Sequence, residues 1–216
     1  MDRMVVTEMV RDAARSRAAI LAAAEELFAE HDYDQATLAD IGVAAGLSRG
    51  TPSYHFGSKE ELYAEVLERV FAARQAATAA AFEPVRAWCD GRGGHGALRR
   101  ALTRAAEGYL DFLLNRPTFV RLIMREELGR RHGLPSVPAS TAMLDAFGAL
   151  REAGAARGLR PFRVEDAVLV FVGLTFAPAS FGATLMRAVG RDLSEPGARR
   201  QQVGLTVDQL MRLVAG

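Results

Sequence analysis

The sequence predicts an all-α fold, with a three-helix helix-turn-helix head followed by a larger helical domain, about nine helices in total. Three observations lead there. No stretch shows the period-2 alternation of a half-buried strand, whereas apolar residues recur at helical spacing along most of the chain. Hydroxyl and acidic residues mark helix starts at Thr37, Ser48 and Ser58. Between Thr37 and Leu62 the chain reads TLADIGVAAGLSRGTPSYHFGSKEEL: two short helices about a glycine turn, then the start of a third.

Taken in order, residues 1–12 mix Asp2, Arg3, Glu8, Arg11 and Asp12 with apolar side chains, which is no signal peptide, and are expected to be a flexible extension. The head spans 13–62. Within it Arg15 to Glu30 is amphipathic, with Ile20, Leu21, Ala24, Leu27 and Phe28 on one stripe. Thr37 caps a short helix, with Asp40 three residues on, and Leu38, Ile41 and Ala45 form its apolar face. Gly46 ends that helix, Leu47 plugs the turn and Ser48 is expected to cap the second short helix. Ser58-Lys59-Glu60-Glu61 is a capping box ahead of Leu62, Val66, Leu67 and Val70. Helices this short are marginal alone, so the longer first helix must supply the surface they pack on.

The region 63–216 reads as helical throughout. The Ser58 helix is expected to continue to about Trp88, kinked or ended earlier by Pro84. Asp90 to Gly96 reads as a flexible connector, followed by helices over Ala97–Asn115 and from Pro117 to about Leu128. Gly129 to Ser140, with Pro135 and Pro138, is the longest loop and is expected to be disordered. Thr141 to about Arg157 forms the next helix. Val164 to Val189 is a long apolar helix or a broken pair, and Ser194-Glu195-Pro196 starts a final helix to about Val214. Ala167 to Met186 carries no charge and is long enough to span a bilayer. Gly173, Pro178, Ser180, Gly182 and Thr184 dilute it and no aromatic belt flanks it, so it is read as a core and subunit-interface helix.

The stretch from Arg15 to Val70 resembles the DNA-binding head of TetR/AcrR-like bacterial transcriptional regulators. The resemblance is carried by Ile20, Leu27, Phe28, Thr37, Ile41, Ala44, Ala45, Gly46, Ser48, Gly50, Tyr54, His55, Phe56, Ser58, Lys59, Glu60 and Leu62, and above all by the AGLSRG and YHFGSKEEL runs. It implies a homodimer whose heads enter successive major grooves about 34–36 Å apart on a palindromic double-stranded operator. It implies a second domain that takes a small-molecule effector and releases the DNA. The residues it places toward DNA are Thr37, Ser48, Arg49, Gly50, Thr51, Ser53, Tyr54, His55 and Lys59, of which Arg49 has the geometry to read a guanine edge. Phe56 is assigned to packing and Tyr54 equally to packing or DNA.

The chain departs from the family pattern at Gly42, His31, Pro52 and Ser53. With Ser48 as cap, Pro52 falls at the fourth helical position, where it removes a hydrogen bond, so the recognition helix is expected to be distorted or to start late. Gly42 is expected to weaken the preceding helix by roughly 1 kcal/mol.

A net charge of +1 over 216 residues gives DNA binding no support of its own, and the head carries more acidic than basic residues, so any basic footprint must be local. The lone Cys89 excludes an intramolecular disulfide and fits a cytoplasmic location. Gly46-Leu47-Ser48-Arg49-Gly50 spells G-x-S-x-G, but a helix rather than a strand precedes it, so no hydrolase follows. The glycine run 91–96 lacks the strand of a phosphate loop, and His31, His55, His95 and His132 have no ligand spacing. No enzyme, cofactor, metal or membrane is expected. Candidate effector-pocket residues are Trp88, Tyr109, Phe112, Phe119, Met124, Phe147, Phe171 and Phe176, with Arg116 and Arg121 able to orient an acidic ligand. In the family the last two helices pair across a two-fold axis, which makes Val170, Leu174, Phe181, Val203, Val207, Leu210 and Met211 the interface candidates. A competing reading is an effector-independent interaction module with a degenerate head.

Overall fold

The computed structural model describes residues 3–129 and 140–215, with side chains omitted at 3–10, 128 and 129. The helices are α1 (Arg3–Glu30), α2 (Leu38–Ala44), α3 (Thr51–Phe56), α4 (Lys59–Asp90), α5 (His95–Asn115), α6 (Pro117–Gly129), α7 (Thr141–Ala155), α8 (Val164–Ser180) and α9 (Pro196–Val214). A π-helical turn, Gly182–Met186, follows α8, and no strand occurs among the described residues. The expected loop over 129–140 falls, apart from its two ends, outside the described residues, as does His132.

Several elements differ in extent from the sequence reading. α1 begins at Arg3, well before Arg15 and inside the stretch expected to be an extension. α4 runs through Pro84 without ending, and Arg86 Nη2 donates to the Ala79 carbonyl at 2.7 Å in the turn where proline withholds its N–H. α8 stops at Ser180, so the long apolar stretch is a broken pair.

Two compact units emerge. The first holds α1 to α3, α4 as far as Phe71, and α6 from Arg121. Its core contains Ile20, Ala24, Phe28, Ile41, Leu62 and Val66, all at most 2% exposed. Phe28, Tyr33 and Tyr63 meet as an aromatic trio, with centroids 4.7 to 5.7 Å apart. The second unit holds α4 from Ala72, α5, and α7 to α9. Phe82, Leu98, Leu102, Phe147, Leu150, Phe171 and Leu210 are fully buried in it. Each such side chain contributes about 1.5–3 kcal/mol by burial, so this core is ample for a stable unit. α4 belongs to both units and passes from the first to the second between Phe71 and Ala72.

Candidate nucleic-acid interface

Thr37 has extended backbone (φ −110°, ψ 153°), and its Oγ1 accepts from the Asp40 N–H at 3.1 Å while donating to Asp40 Oδ2 at 2.6 Å. The capping group therefore ties the first turn of α2 with both functions of one hydroxyl. Gly46, at φ +71°, ends the element, and the Leu47 N–H closes back on the Gly42 carbonyl at 2.9 Å. The capping box at Ser58 forms in full: Ser58 N–H donates to Glu61 Oε2 at 3.0 Å and Glu61 N–H to Ser58 Oγ at 3.1 Å.

The recognition helix starts late, as Pro52 led us to expect, but by a different geometry. Gly50, not Ser48, is the N-cap of α3, and Pro52 lies in its first turn, where its missing N–H has no helical partner to lose. Ser48 instead closes a turn with Thr51, through Thr51 N–H to Ser48 O at 3.1 Å and a 2.7 Å hydroxyl–hydroxyl bond.

Gly42 explains how this is accommodated. A Cβ there would stand 2.7 Å from the Ser48 carbonyl oxygen, 3.1 Å from Pro52 Cδ and 3.2 Å from Arg49 Cα. The two family departures are thus one feature: glycine in α2 makes room for the turn and the buried proline of α3.

Ser48, Arg49, Gly50, Ser53 and Tyr54 are exposed, and Thr51 and His55 are half-buried. Tyr54 is 87% exposed, so it does not pack in the head. Phe56 is buried beneath the Arg17 guanidinium, 4.5 Å from its ring centroid. Both terminal nitrogens of Arg17 also bind the Glu65 carboxylate, and that hydrogen bond raises the guanidinium pKa. Arg17 so joins α1, α3 and α4, a role its lone position beside an apolar stripe did not signal.

Lys59 is differently placed from expectation. Its ammonium donates to the Tyr33 and Ala36 carbonyls at 2.9 and 3.1 Å and lies 4.2 Å from the Tyr33 ring centroid. It anchors the loop before α2. Arg125 of α6 was also missed: Nε and Nη2 donate to the Ala29 and Glu30 carbonyls at 3.1 and 2.7 Å, and Nη1 binds Asp32 at 2.5 Å. One guanidinium therefore closes the C-terminal end of α1. The head's acidic excess is largely engaged: Asp32 with Arg125, Glu65 with Arg17, and Asp40 and Glu61 in caps. Hydrogen bonding to its own backbone, then to Tyr33, holds Glu60 below the usual carboxylate range.

In the second unit, the aromatic pocket candidates mostly pack on one another. Phe82, Tyr109 and Phe147 surround Phe171, with centroids 4.9 to 6.1 Å from its own, and Phe112 joins Tyr109 and Phe119. Phe176 and Met124 are half-buried, and Met124 belongs to the head unit. Cavities of about 230, 330 and 250 Å³ are described, and among the candidates Trp88 alone lines one of these three. Arg121 lies 4.0 Å from Glu30, and Arg116 is half-buried at the end of α5. Of the interface candidates, Val203, Val207 and Leu210 are buried within the unit, a correction: their apolar spacing marks core. Val170, Leu174 and Met211 are half-buried. Phe181 is 45% exposed, alongside Leu169, Leu185, Val189 and Leu205, which the spacing argument did not select. Among the described residues no helix is long and apolar enough to cross a membrane, and no His/Cys/Asp/Glu group has metal-binding geometry.

Comparison with known proteins agrees with this geometry. Residues 20–66 match the profile of bacterial regulatory proteins of the tetR family, and residues 99–210 match the tetracyclin repressor-like C-terminal domain. The HTH-type transcriptional repressor NicS of Pseudomonas putida is 27% identical over 214 residues, covering 94% of this chain and 93% of NicS. The HTH-type transcriptional repressor AcnR of Corynebacterium efficiens is 48% identical over 63 residues, covering 29% of this chain and 33% of AcnR. This chain therefore matches only about a third of AcnR's length. A tetR-family regulatory protein of Rhodococcus RHA1 superposes with a TM-score of 0.68 at 21% identity, covering 93% of this chain and 97% of that one. Both domain profiles, in chain order, match this helical architecture: the chain belongs to the tetR family of bacterial regulatory proteins.

Proposed function

We propose that this chain is a cytoplasmic, homodimeric transcriptional repressor that binds a palindromic operator and leaves it when a small-molecule effector occupies the second unit. Exposed Ser48, Arg49, Gly50, Ser53 and Tyr54, at the start of a short helix whose Pro52 and Phe56 are buried, carry the reading. Among them Arg49 offers a bidentate fork to a guanine edge, Ser48, Ser53 and Tyr54 offer hydroxyls to phosphates, and the Gly50 backbone can approach closely. Thr37 reaches phosphate from the start of α2, and Lys59 acts by positioning the loop from Tyr33 to Ala36. The relatives NicS and AcnR, both named as repressors, favour repression over activation. The fit of Pro52 against Gly42 favours an intact head over a degenerate one.

Release requires the effector to prefer the non-binding state by about 1–3 kcal/mol or more. α4 is part of both units, and its Glu65 holds Arg17, which in turn covers Phe56. A displacement of α4 thus has a direct side-chain route to α3. Leu169, Phe181 and Leu205 form the apolar surface we assign to the two-fold contact. A gel shift against the upstream region of the chain's own gene tests the reading: a discrete complex at low salt is expected, and no retardation from a confirmed dimer would overturn it.

A further inference from the structure

The cavity of about 330 Å³ between the end of α4 and the start of α5 has properties the proposed function does not use. Pro84, Trp88, Ala97 and Ala101 supply apolar wall, while Arg100 and Arg104 stand one turn apart at its rim. No acidic residue lines it. Neither guanidinium has a hydrogen-bond or ion-pair partner among the described residues. Of the acids on the flanking helices, Glu83 pairs with Arg86 at 3.5 Å and Asp208 with Arg99 at 2.6 Å, while Glu107, three residues beyond Arg104, makes no ion pair with it and lines a different cavity. Like charges four residues apart on a helix repel, so an anion between Arg100 and Arg104 would remove an unfavourable interaction.

The wall is held rigid. Trp88 Nε1 donates to the Gly94 carbonyl at 3.2 Å, which satisfies the indole N–H. The Arg157 guanidinium stacks 4.5 Å from the ring centroid, donates to the Trp88 carbonyl, and reaches those of Cys89 and Gly91 at 2.7 and 2.6 Å. Gly93 sits so close that a Cβ there would be 2.8 Å from Ala97 Cβ and 3.0 Å from Trp88 Cδ1. The glycine run, the connector between α4 and α5, is thus hydrogen-bonded and close-packed along this wall.

From this constellation we propose that the cavity binds a small aryl carboxylate. The paired guanidiniums take the carboxylate through charge-assisted hydrogen bonds, and the apolar wall takes the flat ring. A bare inorganic anion would leave that wall unused. The regulatory consequence rests on the proposed function; binding itself does not, and is measured without DNA.

Trp88 is the chain's single tryptophan, so its emission reports on this cavity directly. Titration with benzoate in the millimolar range should give a saturable change. Benzamide, which lacks the charge, and inorganic phosphate, which lacks the ring, should bind at least about tenfold more weakly. The variant Arg100→Gln/Arg104→Gln should weaken benzoate about tenfold while leaving the thermal midpoint unchanged, since both side chains are exposed. Should that pair fail to fold, each single substitution serves, and Arg157→Lys, which leaves the rim intact, should loosen Trp88 and weaken benzoate as well. No saturable change, equal binding of benzamide or phosphate, or indifference to the loss of both arginines would each overturn the proposal. Operator binding by the same preparation shows that such a failure is confined to this cavity.

Discussion

The two units use the same kinds of side chain to opposite ends. In the head, most of the apolar residues are buried, and Ser48, Arg49, Gly50, Ser53 and Tyr54, the face we propose for DNA, remain exposed. In the second unit, most of the large aromatics that suggested a pocket are packed against each other, and a cavity lies instead between a tryptophan and two arginines. What the head exposes depends on where short-range caps place its residues. What the second unit exposes depends on which apolar residues its packing leaves uncovered. Residue type alone separates neither case from the other.

The largest expected effect tests the core assignment in the second unit. Phe171→Ala should cost about 3–5 kcal/mol, because a fully buried ring contacting Phe82, Tyr109 and Phe147 leaves a cavity. Thermal or urea unfolding reads this directly; a change under about 1 kcal/mol would mean that the ring lines open space instead. In the head, Gly42→Ala sets helix propensity against overpacking. Because the obstructing atom is the Ser48 carbonyl oxygen, overpacking wins, and the variant should lose about 1–3 kcal/mol. A double-mutant cycle with Pro52→Ala should show positive coupling, and strict additivity would separate the two positions.

Arg49→Ala sharpens the contrast between stability and function. It should leave the melting temperature unchanged yet weaken operator binding by about 1–3 kcal/mol, with relaxed specificity at one base pair. Breaking the capping box with Ser58→Ala should cost about 1 kcal/mol of stability, as the Glu61 N–H loses its partner. The smallest effect concerns pH. Burial raises the Tyr109 pKa, opposed by the charge of Arg74. The neutral phenol is thus favoured by folding, and its contribution is complete below the unfolded value of about 10 and lost as pH rises toward the higher folded value. Tyr109→Phe should flatten the fall in urea midpoint across that window.

Much of the head was legible because its determinants are local. Thr37 with Asp40, Gly46, and Ser58 with Glu61 each act within three or four residues, and all form. The late start of α3 followed from Pro52, yet Ser48 was misassigned as its cap. Nothing local shows that Gly42, ten positions upstream of Pro52, clears the space for the turn; two departures in one small motif were the available hint. Lys59, Arg17 and Arg125 escaped because their partners lie 23 to 96 residues away. In the second unit, helical periodicity identified apolar faces without saying which neighbour covers them. Val203, Val207 and Leu210 therefore read as interface although they are core, while exposed Leu169 and Leu205 went unselected. The hydrogen bond from Arg157 to the glycine run was not legible because its donor lies 66 residues along the chain.

The central claim is that the exposed residues between Ser48 and Tyr54, set by the pairing of Gly42 with buried Pro52, read an operator. Fluorescence anisotropy with a labelled palindromic duplex from the gene's upstream region, titrated at several salt concentrations, tests it most directly. The account predicts saturable binding that weakens steeply with salt, is reduced about tenfold or more by Arg49→Ala, and is unaffected by Arg100→Gln/Arg104→Gln. Equal affinity for operator and scrambled duplex, unchanged by Arg49→Ala, would contradict it.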